Sequence, residues 1–369
     1  MNRTRPKAWW QSLLVLPLMA AFVGGQTAQA DDVIELSFAT YYPGTVSWAD
    51  VEHAYFEEIE KRSGGRLKVT KKHWKGLFGA KELQGAVGDG AVDMAWCSPL
   101  YTPADNPLRT LLIGGPFLGK YVDVPPLAYT HLYDTWEPAA DDFHKHNVVL
   151  LYVRPGPQMG MALMGDISSP DDLVGKKIRA HGAIFSKGLK NMGAVPVLVE
   201  AFDIEQQMRA GNLDGASETG GLTWGRYPEK IPGVTLVDPR IGPYGAGHMI
   251  MNKDKFESLP ADLQKMLADM RYEWAILATR WVAMDAARTM KLIEENDYPL
   301  VRFTDEQFAA WRENMKIDEV FAELAEEYEA RGVPAKEALS RYTALTALLD
   351  KTSVYPSVDM VPVVPTYTE

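Results

Sequence analysis

The segment from Ala261 to Asn296 constrains the fold most, because its 36 residues include no glycine or proline. Its apolar residues recur at helical spacing, at Leu263, Met266, Leu267, Met270, Trp274, Leu277, Trp281 and Met284. At about 1.5 Å per residue this helix would be roughly 54 Å long, which is longer than one small domain. We therefore expect a long C-terminal helix that lies against two lobes.

The first thirty residues differ in composition from the rest of the chain. Three basic residues in the first seven positions precede an apolar run from Ser12 to Gly24, and small residues follow at 28–30. This is the pattern of a secretory signal peptide. The apolar run is shorter than the roughly 18 residues that cross a bilayer. The sequence predicts a signal peptide at 1–30 and an exported chain that begins at Asp31.

Charge and cysteine content restrict the class of protein further. Without residues 1–30 the chain has 35 basic and 49 acidic residues, a net charge of -14. This excess of acid argues against nucleic acid as the partner, because phosphate binding needs clustered Lys and Arg. Cys97 is the only cysteine, so an internal disulfide is excluded and the hydrophobic core must hold the fold. The length of the exported part indicates two domains.

Strand and helix patterns alternate in both halves of the chain, which predicts parallel strands joined by crossover helices. In the first half we assign strands at 34–38, 67–70, 92–97 and 148–153, helices at 46–62 and 80–87, and a helical region at about 124–146. In the second half we assign strands at 178–180, 195–199, 213–217 and 234–238, and helices at 183–192 and 203–210. Asp203 and Gln206 fit an N-cap and its partner at the start of the last helix.

A short internal repeat links the two halves. Gly90-Ala91-Val92-Asp93-Met94-Ala95 and Gly211-Asn212-Leu213-Asp214-Gly215-Ala216 each follow an amphipathic helix. Both read as a helix stop, a glycine turn and a strand that enters a sheet. The repeat is what two similarly built lobes would contain.

Several motifs together resemble a known family. They are Asp172-Leu173-Val174-Gly175-Lys176-Lys177-Ile178-Arg179, Met192-Gly193-Ala194-Val195-Pro196-Val197, Ala201-Phe202, and Met208-Arg209-Ala210-Gly211-Asn212-Leu213-Asp214-Gly215, with support from 76–83, 90–94 and 259–264. In this order and spacing the chain resembles the substrate-binding proteins of tripartite ATP-independent periplasmic (TRAP) transporters, of the C4-dicarboxylate-binding type.

The resemblance implies an α/β, two-lobed periplasmic binding protein fold with hinge segments and a long C-terminal bracing helix. We place lobe 1 at 31–153, lobe 2 at 154–243 and the bracing helical region at 259–369, with part of 244–369 returning to lobe 1. Such proteins are periplasmic, are not enzymes, and deliver a small organic acid to the integral-membrane subunits of a permease.

The resemblance also implies the ligand site. Arg179 stands where the family carries its main ligand anchor, and a guanidinium can pair both oxygens of a carboxylate. Phe202 falls at a position that packs over the ligand. Thr219 replaces an asparagine that contacts the ligand in many relatives, and a hydroxyl offers fewer hydrogen bonds than an amide. Gly165 falls near the position at which many relatives that bind acidic sugars carry a second arginine.

Two charged residues have a ligand interpretation and a structural one. Arg154 ends the strand at 148–153, where a crossing segment is expected, and either binds the ligand or stabilises the Pro-Gly turn that follows it. Glu218 either accepts a ligand hydroxyl, helps to hold a cation, or pairs with Arg179 or Arg154. The sequence leaves both alternatives open.

Aromatic residues crowd the expected edges of the cleft, and ligand pockets are mostly apolar with a few placed polar groups. Those we assign to the site are Tyr42, Trp74, Trp96, Tyr101 and Trp224. If these rings converge, the ligand carries an apolar or aromatic body beside its carboxylate. The aromatic surroundings and the absence of an arginine at Gly165 together favour a monocarboxylate or an oxo or hydroxy acid over a dicarboxylate.

Two other classes of protein are alternatives to a transport protein. An exported enzyme is disfavoured because the sequence has no Gly-x-Ser-x-Gly turn, His-Glu-x-x-His helix or glycine-rich phosphate loop. A module that presents a bound ligand to a membrane sensor uses the same fold, and the sequence does not separate it from a transport protein. No cofactor is predicted, and the sequence leaves open a metal ion that bridges the ligand and the choice between monomer and homodimer.

Overall fold

The computed structural model describes residues 33–114, 120–156, 159–180, 182–219, 221–241 and 245–353, with the backbone alone at 219, 222, 238–241, 245 and 246. The predicted signal peptide, 1–30, lies outside the described residues. The strands are β1 (Ile34–Thr40), β2 (Leu67–Trp74), β3 (Met94–Cys97), β4 (Val148–Pro155), β5 (Met159–Met164), β6 (Lys177–Arg179), β7 (Val195–Val197), β8 (Gly215–Thr219), β9 (Val234–Ile241), β10 (Gly245–Asn252) and β11 (Leu300–Arg302).

Fourteen α-helices connect and cover these strands in the described part of the chain. They are α1 (Ala49–Arg62), α2 (Leu83–Gly88), α3 (Pro107–Ile113), α4 (Val124–Thr135), α5 (Glu137–His144), α6 (Gly182–Asn191), α7 (Ile204–Arg209), α8 (Leu222–Gly225), α9 (Tyr227–Lys230), α10 (Lys253–Ser258), α11 (Ala261–Glu295), α12 (Asp305–Met315), α13 (Ile317–Glu329) and α14 (Ala335–Leu349). The expected long helix is α11, with 35 residues.

The strands form two sheets, and each sheet is the centre of one lobe. The first has the order β2-β1-β3-β10-β4, with β1 parallel to β2 and β3. The second has the order β11-β9-β5-β8-β6-β7, with β6 parallel to β7 and β8. The chain passes to the second sheet after β4 and returns through β10, which pairs antiparallel with β3 and β4. The expected α/β fold with two lobes is confirmed.

Helix α11 belongs to the cores of both lobes. Its first half, which includes Leu263, Met270 and Trp274, packs in a buried cluster with the first sheet. Near its end Ile293 packs in a cluster with the second sheet. The apolar stripe predicted for this segment therefore packs on the first lobe up to Trp281, Met284 at its end is 41% exposed, and the contact with the second lobe lies beyond the stripe, at Ile293.

The short internal repeat has the same structure in each lobe. Gly90 and Gly211 have φ values of 74° and 72°, the left-handed region that glycine enters at little cost. Asp93 Oδ2 accepts a hydrogen bond from the backbone N–H of Ser37 at 2.7 Å, and Asp214 Oδ2 accepts one from Lys177 N–H at 2.8 Å. Each aspartate thus ties its own strand to the neighbouring parallel strand.

The helical region expected at about 124–146 is present as two helices, α4 and α5, because Trp136 is extended (φ -135°, ψ 106°) and Pro138 cannot continue the hydrogen bonding of α4. One local prediction was wrong. Asp203 is the N-cap residue of α7, but its side chain makes no capping hydrogen bond. A 3₁₀ turn at Ala201–Asp203 leads into the helix instead, and Asp203 has a helical φ and ψ (-101°, -10°) rather than the extended backbone of a usual cap.

Candidate functional site

A cavity lies where the two sheets meet the middle of α11. The empty space between its walls is about 770 Å³, which includes the open mouth. Its walls are formed by Tyr41, Ser47, Trp48, Val51, Trp96, Ser98, Tyr101, Arg154, Pro155, Gly156, Ala201, Glu218, Trp281, Val282, Asp285 and Arg288.

The topology brings these residues together. Tyr41 follows β1, Ser98 follows β3, Ala201 lies beyond β7, and Glu218 is close to the end of β8. The carboxyl ends of parallel strands meet at one edge of a sheet, which is where α/β proteins bind ligands. The two sheets present these edges to one another, and α11 closes a third side with Trp281, Val282, Asp285 and Arg288.

Aromatic rings form a continuous wall in the first lobe. Tyr41 lies with its ring centre 6.0 Å from that of Trp96 and 5.4 Å from that of Tyr101. Trp48 is the fourth ring on this wall. Such a surface favours a flat apolar group on the ligand, since rings pack edge-on or offset against one another.

Arg154 is a buried cation in the cavity wall, only 4% exposed. Its guanidinium carbon lies 4.0 Å from the ring centre of Trp96. Nη1 donates to the carbonyl of Trp48 at 3.1 Å and to Oε1 and Oε2 of Glu52 at 3.2 and 3.3 Å. The side chain is thereby fixed at the end of β4 by stacking and by charge-assisted hydrogen bonds.

Glu52 is the counter-ion of Arg154 and is fully buried beneath it. Tyr152 donates its hydroxyl to Glu52 Oε1 at 2.9 Å. Burial raises the pKa of Glu52, and the positive charge of Arg154 opposes that rise. A buried pair of this kind is costly to break, because the partner that remains is an uncompensated charge.

Arg179 contacts two residues of the cavity lining, Tyr101 and Glu218, and is 1% exposed. Nε donates to the carbonyl of Val199 at 3.0 Å, Nη1 to the carbonyl of Ser217 at 2.7 Å, and Nη2 to the hydroxyl of Tyr101 at 3.2 Å. Nη1 is also 3.8 Å from Glu218 Oε2. Among the described residues, Tyr101 and Glu218 form the cavity wall in front of it.

Two carboxylates face the cavity from opposite elements. Glu218 on β8 is 2% exposed, and Asp285 on α11 is 9% exposed. Arg288 lies one turn beyond Asp285 on the same helix and is exposed. The cavity lining therefore includes two buried carboxylates besides the aromatic rings, and carboxylate oxygens accept hydrogen bonds from a hydroxyl or another donor on a ligand.

Three of the sequence-assigned residues lie next to the cavity rather than in its lining. Tyr42 is fully buried, with its ring 5.3 Å from that of Trp96. Trp74 packs edge-on against Phe38 at 5.2 Å. Phe202 extends from the second lobe to the first, where its ring is 6.1 Å from that of Trp48. These residues support the wall from outside.

Trp224 and Gly165 lie outside the cavity lining, and the ligand role of Thr219 stays a prediction. Trp224 packs in the core of the second lobe, where its indole N–H donates to the carbonyl of Met161 at 2.8 Å. Thr219 is the last residue of β8, and its side chain lies outside what the structure describes. Gly165 is exposed in a turn after β5 (φ 89°) and is not part of this lining, so its missing side chain says nothing about the ligand.

Sequence reasoning missed the cavity residues on α11 and the pair of Glu52 with Arg154. For Glu52 the sequence contained a clue, since it precedes Phe56 and Ile59 by four and seven residues and so lies on the apolar face of α1. An acid on such a face requires a buried partner.

The described part of the chain contains no group of three or more His, Cys, Asp or Glu side chains placed to hold a metal ion. No helix in that part is both long and apolar enough to cross a membrane.

The fold and the cavity define a protein with two α/β lobes that enclose a site for a small molecule. The sequence matches the bacterial extracellular solute-binding proteins, family 7, over residues 43–327, and the chain belongs to that family. A similar characterised protein is the ectoine-binding periplasmic protein TeaA of Halomonas elongata, 24% identical over 213 residues. That match covers 55% of this chain and 58% of the relative, so it spans less than two thirds of the relative's length.

Solved structures of TRAP solute-binding proteins have the same fold. One from Rhodoferax ferrireducens, in complex with copurified benzoate, is 21% identical with a TM-score of 0.77, over 87% of this chain and 99% of that one. One from Bordetella bronchiseptica, with bound (R)- and (S)-mandelate, is 25% identical with a TM-score of 0.73, over 86% of this chain and 100% of that one.

Proposed function

We propose that this chain is a periplasmic solute-binding protein that captures a small organic acid with an aromatic or other flat apolar body. It delivers the acid to the integral-membrane subunits of a TRAP permease, which an ion gradient drives. The observation that carries the proposal is the buried guanidinium of Arg154 in the wall of an aromatic cavity, because a fixed cation beside flat rings suits a carboxylate on an apolar body.

The similar proteins support this class of ligand. The structures from Rhodoferax ferrireducens and Bordetella bronchiseptica contain benzoate and mandelate, each a carboxylate joined to a benzene ring. A relative from a marine metagenome, 23% identical, contains 3-hydroxybenzoate. A hydroxyl such as those of mandelate and 3-hydroxybenzoate has candidate acceptors here in Glu218 and Asp285.

Contacts between the lobes suit a protein that closes over its ligand. The backbone N–H of Ala201 in the second lobe donates to the Tyr101 hydroxyl of the first at 3.2 Å. The backbone N–H of Ala80 donates to Glu200 Oε1 at 3.2 Å. A ligand that bridges both lobes adds contacts that exist only in the closed state, and these differential contacts shift the population toward closure.

A thermal-shift screen of the chain from Asp31 to Glu369 tests the proposal. Benzoate, 3-hydroxybenzoate and mandelate are compared with succinate, with neutral sugars and with ectoine. A ligand at 100 times its dissociation constant stabilises the fold by about 2.7 kcal/mol, which raises the melting temperature by a few degrees. We expect the largest shifts with the aromatic monocarboxylates. Shifts with sugars or ectoine alone would contradict the proposal.

The remaining alternatives make separate predictions. If chromatography of the incubated mixture shows that a bound acid is chemically converted, the protein is an enzyme. Genes for a small and a large integral-membrane protein beside this one would support transport. A gene for a sensor kinase in their place would favour a protein that presents its ligand to a receptor.

A further inference from the structure

We propose that Arg288 is a guiding cation at the mouth of the cavity: its charge attracts the carboxylate of an approaching ligand and speeds the entry of that ligand. This inference rests on the proposed function and makes it more specific, because it adds a kinetic preference for anions to the site. It follows from where Arg288 lies, from the burial of the other cations near the cavity and from the charge of the whole chain.

Arg288 is the exposed part of the cavity lining. Among the described residues that form the walls, the others are buried or half-buried, and Arg288 alone is exposed. Trp281, Asp285 and Arg288 are successively four and three residues apart, which places them on one face of helix α11. The cavity therefore opens to solvent toward the C-terminal end of this face, where Arg288 lies.

The other cations near the cavity are not accessible to a ligand that is still in solution. Arg154 lines the cavity and Arg179 contacts its lining, and both are buried. Arg154 is also compensated by Glu52. In the described part of the chain Arg288 has no hydrogen bond or ion pair. An approaching anion therefore meets the charge of Arg288 before it meets the buried arginines.

The charge of the whole chain makes a cation at the mouth important. Residues 31–369 include 35 basic and 49 acidic residues, a net charge of -14, so the protein as a whole repels an organic anion. Salt screens charges that lie farther away than about 8 Å at physiological ionic strength, so a charge at the opening outweighs distant acids. A charge on the rim of a binding site mainly changes the association rate and its salt dependence.

Stopped-flow fluorescence measures the association rate, because Trp48, Trp96 and Trp281 line the cavity and respond to its occupation. With benzoate at about 0.1 M salt, we expect Arg288→Gln to lower the association rate constant about twofold and to leave the dissociation rate constant unchanged. The difference should disappear at about 1 M salt, where the screening length is about 3 Å. Neutral benzamide should associate equally fast with both proteins.

Two more substitutions at this position separate a guiding charge from a direct contact. Arg288→Lys should keep the wild-type association rate, because attraction at a distance needs the charge and not the planar fork of a guanidinium. Arg288→Glu reverses the charge and should lower the rate about fourfold, which is the square of the effect of neutralisation.

The matched control is Arg280→Gln. Arg280 is exposed on the same helix, about 12 Å from Arg288 along the helix axis, and lies outside the described lining of the cavity. At about 0.1 M salt the screening length is about 10 Å, so this substitution should change the association rate much less than Arg288→Gln does.

Three results would contradict the inference. An association rate that changes no more in Arg288→Gln than in Arg280→Gln overturns it and leaves the proposed function standing. Faster dissociation in both Arg288→Gln and Arg288→Lys also overturns it, since Arg288 would then be a direct contact of the bound ligand. If the wild-type protein binds none of the acids, the proposed function fails, and the inference fails with it.

Discussion

Tyr101 and Arg179 join the two lobes: the hydroxyl of Tyr101 accepts a hydrogen bond from Arg179 Nη2 at 3.2 Å. Tyr101 follows the first sheet, whereas Arg179 ends β6 of the second. Both side chains are buried, and burial raises the pKa of Tyr101, so the phenol is neutral at physiological pH. The bond therefore connects a neutral acceptor to a permanent cation and contributes to the contact between the lobes.

Removal of this acceptor should destabilise the protein. Tyr101→Phe removes a buried acceptor of two hydrogen bonds, from Arg179 Nη2 and from the backbone N–H of Ala201, which costs about 1 to 3 kcal/mol in the free energy of unfolding. Urea unfolding measures the change. Tyr55→Phe is the matched control, because the buried Tyr55 hydroxyl has no hydrogen-bond partner in the described part of the chain and its loss should be neutral or stabilising. Equal effects of the two substitutions would contradict this account.

His248 should make the protein sensitive to acid. Burial, and then the charge of Arg109, lower the pKa of His248 well below 6.5. Its ring lies between those of Tyr129 and Phe143. Below pH 6.5 the unfolded chain takes up a proton at this position and the folded chain does not, so stability is full above pH 6.5 and is lost as the pH falls.

The corresponding variant is His248→Leu, which has a similar volume and no titrating group. We expect the free energy of unfolding to fall less steeply between pH 6.5 and pH 5 than in the wild-type protein. Denaturant unfolding at a series of pH values measures this slope. His131→Gln, at an exposed histidine, should leave the slope as it is. A slope that is identical in wild type and His248→Leu would show that other groups cause the acid sensitivity.

Trp48 should determine how strongly the protein prefers a ligand with an aromatic ring. Mandelate and lactate differ by a phenyl group in place of a methyl group, so the ratio of their dissociation constants measures what the aromatic wall contributes. In Trp48→Leu we expect this preference to fall by about twofold to tenfold, the range of an aromatic pair of 0.5 to 1.5 kcal/mol. Trp224→Phe changes a tryptophan of the second-lobe core and should leave the ratio unchanged.

Gly160 should tolerate no side chain. A Cβ at this position on β5 would lie 2.5 Å from the indole of Trp224, whose ring is held by its hydrogen bond to Met161. We expect Gly160→Ala to lower the free energy of unfolding by about 1 to 3 kcal/mol. Gly85→Ala, in helix α2 with open space around it, should be neutral or stabilise by up to about 1 kcal/mol. Differential scanning calorimetry compares the two.

Local sequence patterns predicted much of the fold, and particular residues show why. Gly90 and Gly211 mark the helix stops in both lobes, because a positive φ after a helix requires a residue such as glycine. Asp93 and Asp214 repeat at the same distance from those glycines and make the same hydrogen bond. These features depend on a few neighbouring residues, which a sequence displays directly.

The site was harder to predict because it depends on contacts between distant segments. Glu52 and Arg154 are about 100 positions apart, and neither shows from its own surroundings that it faces the other. Asp285 and Arg288 lie in a helix whose apolar spacing indicates only a core. Trp224 is an aromatic residue that follows a strand at the expected edge of the cleft, but a tryptophan there serves equally well in the packing of β5.

Helix α11 has a consequence for how binding is transmitted through the molecule. It is about 52 Å long, and the cavity touches it at 281–288, between the part that packs on the first sheet and the part that packs on the second. The end of the helix lies about 20 Å beyond Val282, so a tilt of about 5° at that residue displaces the end by about 2 Å. A ligand that tilts α11 at the cavity can therefore move the end of the helix on the second lobe, at a surface that the ligand does not contact.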